Sequence, residues 1–373
     1  MKKLFSTIIC CLICSTAFMQ VKPEWQDETI PFVGKEYPRT AFMTYSDVNK
    51  ARSNDFNTST DYKSLNGKWK FNWVSSYKKR PVNFYKTNFD DSTWEEIDVP
   101  ANWEVNGYGN ALYTNHPYEF CPRNPQPPLL PEENPVGSYR KYIEIPEQWN
   151  GKEIFLHIGA VKSGCYLYVN GTKVGYSEDS KDAVEYNITR YLKPGLNLIA
   201  LEVYRWSTGS YLECQDFWRI SGIERDVYLF AQSPVHLRDF SIRQDLDSTY
   251  KNGLFELDLF MANANPRQPG QVTVSYQLEN TSGTRVAEGR QTIKIDSATT
   301  VHFEAKIPQV IPWTAETPNL YQLFIRIEQP GKNTEVIPFR VGFRKLEIRG
   351  NQFLVNGRAI LIKGVNYHEH NEH

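Results

Sequence analysis

Apolar and polar side chains alternate along much of this chain, and no amphipathic period of helical length is evident among residues 137–230. Trp69, Phe71 and Trp73 alternate with Lys70 and Asn72, which predicts a half-buried strand within residues 64–74. Residues 89–94 form a turn leading into 97–100. Further strands are expected at 137–145, 154–158, 166–169, 173–176, 198–204 and 225–230. Asn170-Gly171 joins two of them and predicts a type I′ hairpin, because both residues accept positive φ. Short strands broken by Gly, Asn and Pro favour a β-sandwich over a βαβ sheet.

The pattern changes near residue 233. Residues 255–260, 271–276, 292–295, 301–305 and 321–327 alternate strictly and predict an immunoglobulin-like or fibronectin-like sandwich, closed by 339–344. Trp313 reads as a buried edge residue there rather than a sugar platform. Residues 353–362 predict a hairpin with Asn356-Gly357 at its tip. Two segments lack regular alternation. Residues 23–61 read as an extended arm laid on a larger body, and proline-rich 102–135 reads as a long loop that needs a task to justify its length.

Composition narrows the class. The chain opens M-K-K, continues almost wholly apolar or small from Leu4 to Met19 and turns polar at Lys22-Pro23-Glu24, the pattern of an export signal. The expected product is periplasmic or extracellular, with no lasting membrane span. Cys10, Cys11 and Cys14 leave with that segment, so Cys121, Cys165 and Cys214 can form at most one disulfide. A net charge of −1 with mixed signs leaves no footprint for nucleic acid. Aromatic residues make up 14% of the chain, which suits both a β-rich core and a carbohydrate surface.

The densest chemistry lies in residues 204–227, Y-R-W-S-T-G-S-Y-L-E-C-Q-D-F-W-R-I-S-G-I-E-R-D-V. Acids and turn formers interrupt any strand pattern, so a surface loop or rim is expected. Sugars bind where aromatic faces lie beside directed polar groups. The alternative reading places Trp206, Trp218 and Ile223 in a core, with Arg219 and Asp226 as an ordinary ion pair. Near the C-terminus, the His and Glu residues from His368 to His373 read, from spacing alone, either as a metal cluster or as separate contacts on an extended segment.

Taken together, W-x(4)-Y-L-E-x-Q-D-x-W-R-x-S-G-I-x-R-D-V resembles the end of the sugar-binding domain of glycoside hydrolase family 2 β-galactosidases. The S-L-N-G-x-W-x-F, F-D-D-S-x-W and V-P-A-N-W motifs resemble the start of that domain, Y-T-N-H-P-Y-E-F resembles its inner loop, and G-V-N-x-H-E-H resembles the first barrel strand. The resemblance implies an all-β portion: a jelly-roll sandwich at 62–232, an immunoglobulin-like sandwich at 233–345 and the first strand of an incomplete TIM barrel at 346–373, after a signal at 1–20 and an arm at 21–61.

The same resemblance implies a retaining β-galactosidase whose two catalytic Glu are missing from this chain, which alone is expected to be inactive. Asn115, Asp216 and His368 match family residues that contact the galactose, and Asp216 also matches a sodium ligand of the enterobacterial enzyme. Na⁺ and Mg²⁺ are therefore expected in a longer enzyme, with neither site complete here. The expected partner is a β-galactoside or galactose-containing glycan, and a homo-oligomer is compatible with the family. A non-catalytic carbohydrate-binding or assembly module, or a β-glucuronidase of the same family, stands as the alternative.

Overall fold

The structure is a computed structural model describing residues 22–115, 117–213 and 216–367. The segment expected to direct export, Cys214, His368 and the C-terminal His/Glu residues lie outside the described residues. Every ladder is antiparallel among the named strands, and the fold is two β-sandwiches strapped together by the arm.

The first sandwich faces a seven-stranded sheet against a four-stranded one, as a jelly roll requires. The larger sheet runs in the order Phe32–Val33, Thr172–Ser177, Gly164–Val169, Leu196–Tyr204, Val136–Glu144, Gly67–Val74, Glu95–Val99. The smaller runs Val184–Asn187, Glu153–Ile158, Val227–Gln232, Tyr62–Ser64. Alternation does the sorting. Trp69 and Phe71 point inward and pair in register with Ile97 and Tyr139, meeting Leu156, Ile158 and Leu229 from the opposite sheet. Asn170 and Gly171 take φ of 51° and 88°, as the type I′ hairpin demands.

The second sandwich packs Val235–Leu246, Gly253–Asn263 and Ala298–Ile307 against Arg285–Ile295, Gly270–Glu279, Tyr321–Glu328 and Glu335–Val341. Leu257 and Leu259 meet Val274, Leu323 and Ile325 in its core. After it comes a small sheet of Leu346–Arg349, Gln352–Val355 and Arg358–Ala359, with Asn356 and Gly357 at the tip at positive φ.

Three expectations are corrected. Residues 360–367, where a first barrel strand was expected, carry no strand, and a strand gains stability only from neighbours that satisfy its backbone. Trp313 is half-buried rather than buried, because it lies at the open edge of the second sandwich against Arg344. Residues 102–135 are not wholly loop, since Leu112–Thr114 forms a strand.

The arm is more than a surface trace. Trp25 stacks on Tyr204 at 4.7 Å and enters a buried cluster with Val136, Tyr166 and Tyr176 of the first sandwich. Phe42 enters the second core, and Tyr45 exchanges backbone hydrogen bonds with Val336 at 2.9 and 2.8 Å. Met43, Tyr45 and Ala51 fill a third cluster between the sandwiches with Phe155, Phe230 and Phe324. Ala51 sits on a short helix, Val48–Ser53, whose first turn Asp47 caps by accepting from the Lys50 N–H. Arg39 grips Glu185 through two hydrogen bonds of 2.8 and 3.0 Å, with His157 Nδ1 3.0 Å from the same carboxylate. Burial opposes the Glu185 charge, but the His157 and Arg39 contacts prevail and hold its pKa down at about 2.

Candidate functional site

The 204–227 run and the 102–135 segment fold against each other. Their junction is a two-stranded ribbon, in which Phe217, Trp218 and Arg219 pair with Thr114, Tyr113 and Leu112. Continuing that register by one residue sets Asp216 opposite Asn115 at the open end. The two-residue period of a strand then puts Tyr113, Asn115, Asp216 and Trp218 on one face. Tyr113 and Trp218 pack edge to face at 5.6 Å, and the Tyr113 hydroxyl donates to Asp216 Oδ1 at 2.9 Å. Asp216 is half-buried and Asn115 exposed. The face thus offers a directed carboxylate, an amide and an indole at one rim.

The other face of the ribbon is bolted down. Phe217 is approached by three cations, Lys162 and Arg219 each at 5.0 Å and Lys181 at 5.6 Å from the ring centroid. Lys162 is buried, and desolvation lowers its pKa. Arg219 lies 3.6 Å from Glu119, whose other oxygen accepts from Trp206 Nε1 at 2.9 Å, and Lys181 pairs with Glu224. Arg219 therefore faces Glu119, and Asp226 instead accepts from Asn66 at 2.9 Å, so the alternative pairing of Arg219 with Asp226 does not occur.

A buried ion pair anchors the start of the segment. Glu104 binds Arg205 at 2.8 Å and accepts from the Ser221 N–H at 2.7 Å, while Arg205 donates to the carbonyls of Asn110 and Arg219. Burial raises the Glu104 pKa against the pull of Arg205. Asn134, fully buried, donates to the Trp206 carbonyl at 2.8 Å and accepts from its N–H at 3.1 Å. Glu213 is committed to the Ser180 N–H and hydroxyl at 2.8 and 2.5 Å, a structural task.

The run is therefore part rim and part core. Ile223 is fully buried on a short strand paired with Ala101–Asn102 and Val161–Lys162, whereas Trp206 and Trp218 are half-buried. Of the three residues singled out in the sequence, Asn115 and Asp216 are brought together, and His368 lies outside the described residues. Trp218 joins the face as the aromatic reading of the run expected, and Tyr113 was missed. Its two-residue spacing from Asn115 was the available signal.

The described residues contain no group of three or more His, Cys, Asp or Glu placed to hold a metal, so Asp216 offers a single anionic ligand where hard cations take six or more oxygens. Cys121 and Cys165 are free thiols, and burial raises the Cys165 pKa. No described helix is long and apolar enough to cross a membrane.

Two adjacent family models match this architecture. The sugar-binding domain of glycosyl hydrolases family 2 covers residues 62–233, and a second model for glycosyl hydrolases family 2 covers 235–344. The chain belongs to glycosyl hydrolase family 2. The family 2 chain is 36% identical over 353 residues to a β-galactosidase of Priestia megaterium, covering 93% of this chain and 34% of that protein. It is 40% identical over 311 residues to one from Halalkalibacterium halodurans, covering 83% of this chain and 30% of that protein. It spans about a third of the length of these relatives. A β-glucuronidase of Bacteroides uniformis shares the fold with a TM-score of 0.67 at 22% identity, over 82% of this chain and 35% of that one.

Proposed function

We propose that this family 2 chain is the sugar-holding N-terminal portion of an exported retaining β-galactosidase. The observation that carries the reading is the shared face of Asn115 and Asp216, in a chain 36–40% identical to proteins named β-galactosidase. Asp216 accepts from galactose hydroxyls, Asn115 donates to one, and Trp218 supplies apolar contact to the ring. Retaining hydrolysis needs two carboxyl groups about 5–5.5 Å apart, which on this reading come from a barrel beyond residue 373. A sodium ion would use Asp216 as one ligand, and Mg²⁺ would bind on that later part. Met1 to Gln20 directs export to the periplasm or beyond.

A chain extended through the barrel is expected to cleave p-nitrophenyl β-D-galactoside in preference to the β-D-glucuronide. The 373-residue chain is expected to bind galactose without turnover. Asp216→Ala in the extended enzyme should lower kcat/KM by about tenfold or more, the loss of a hydrogen bond to a charged group, while the folded fraction stays unchanged. Preference for the glucuronide, or unaltered kinetics in Asp216→Ala, would overturn the reading.

A further inference from the structure

A cavity among the described residues has no part in that rim. It lies at the open side of the second sandwich, between the edge strands Val235–Leu246 and Glu335–Val341, and encloses about 500 Å³. Phe240, Ile242 and Gln244 line it from the first of these strands and Arg340 from the second, and Trp313 and Arg344 line it from outside them. No carboxylate lines it. Neither guanidinium makes a salt bridge among the described residues, whereas Arg39, Arg205, Arg243 and Arg290 do.

Arg344 is held in place by the indole of Trp313, with its guanidinium carbon 4.8 Å from the ring centroid. An Arg held over an indole still has N–H groups to donate, and a guanidinium recognises a carboxylate or sulfate with two parallel bonds. Gly342 permits this close packing. A Cβ there would come within 3.1–3.2 Å of Trp313 and Leu320 atoms. The volume suits a small ligand rather than a protein segment, and its mixture of apolar wall and few polar groups is that of a small-molecule site.

We propose that this cavity binds an anionic sugar, a uronate or a sulfated hexose, with Arg344 and Arg340 on the anion and Phe240 and Ile242 against the C–H surface of the ring. The anion follows from the cavity alone. The sugar rests on the reading of the chain as part of a glycosidase.

The test is calorimetric titration of the 373-residue chain carrying Asp216→Asn, which removes the rim's hold on galactose, with D-galacturonate, galactose 6-sulfate, galactose and acetate. Saturable binding is expected for galacturonate or the sulfate, with galactose and acetate each weaker by about tenfold or more. Arg340→Gln, on an exposed side chain, should weaken galacturonate about tenfold while thermal unfolding is unchanged. Arg344→Gln should do the same. Asp216→Asn should leave galacturonate binding intact, which separates this cavity from the rim. Equal binding of galactose and galacturonate, unchanged affinity in both Arg variants, or no saturation by either acidic sugar would overturn the proposal. Binding of acetate as tight as that of galacturonate would overturn its sugar half. Failure of the Asn115 and Asp216 assignment would leave the galacturonate result standing.

Discussion

Tyr113 and Asp216 sit diagonally across a two-stranded ribbon with phenol and carboxylate 2.9 Å apart. The ring that fixes the carboxylate is itself held by Trp218 at 5.6 Å. The acid is therefore aimed before any sugar arrives, so ordering it on binding costs little.

Tyr113→Phe keeps the ring packing and removes the hydroxyl. In an enzyme extended through the barrel, kcat/KM for a β-galactoside should fall by about tenfold, given about 1.5 kcal/mol for a hydrogen bond to a charged group. Steady-state kinetics beside a thermal melt test this, since the melt should stay in place.

Arg205→Met leaves Glu104 buried without its partner. Breaking one half of a buried pair costs about 3–5 kcal/mol, and the Asn110 carbonyl loses a donor as well. Urea denaturation should show that loss, and a double variant that also carries Glu104→Gln should recover part of it.

Acid should loosen the arm through Glu185. Its folded pKa is held at about 2, below the ordinary 4.5, so the associated stabilisation is complete above pH 4.5 and drains away as pH falls toward 2. The shift corresponds to about 3 kcal/mol. Denaturant midpoints at pH 6 and pH 2.5 should differ more for the wild type than for Glu185→Gln. Equal differences would remove Glu185 from the account.

Trp25→Ala empties the site between Tyr77 and Tyr204, which pack against the indole at 5.0 and 4.7 Å. Truncating a buried Trp costs about 3–5 kcal/mol, and chemical denaturation should report it. Limited proteolysis should then cut the arm first.

Strands whose side chains alternate between one core and solvent were legible in the sequence. Gly67–Val74, Gly253–Asn263 and Tyr321–Glu328 all fall where alternation placed them, with ends shifted by a few residues. Leu112–Thr114 and Phe217–Arg219 were not legible as strands, because three residues cannot display a period and their pairing spans about a hundred positions of chain. Asn115 and Asp216 could be named from motifs, but that they face each other could not. The arm misled in the opposite direction. Trp25, Phe42 and Tyr45 lie on no regular pattern because each is buried by a different body, so their burial leaves no periodic trace.

That arrangement dictates an order of events during synthesis. Trp25 needs strands up to Tyr204, Phe42 needs the second core and Tyr45 needs Val336, so the arm cannot be seated along its whole length until some three hundred later residues are made and folded. The described segment that leaves the ribosome first is therefore the last to settle. Until it does, Trp25, Phe42, Met43 and Tyr45 travel as open apolar surface, the part of the young chain that a chaperone would hold.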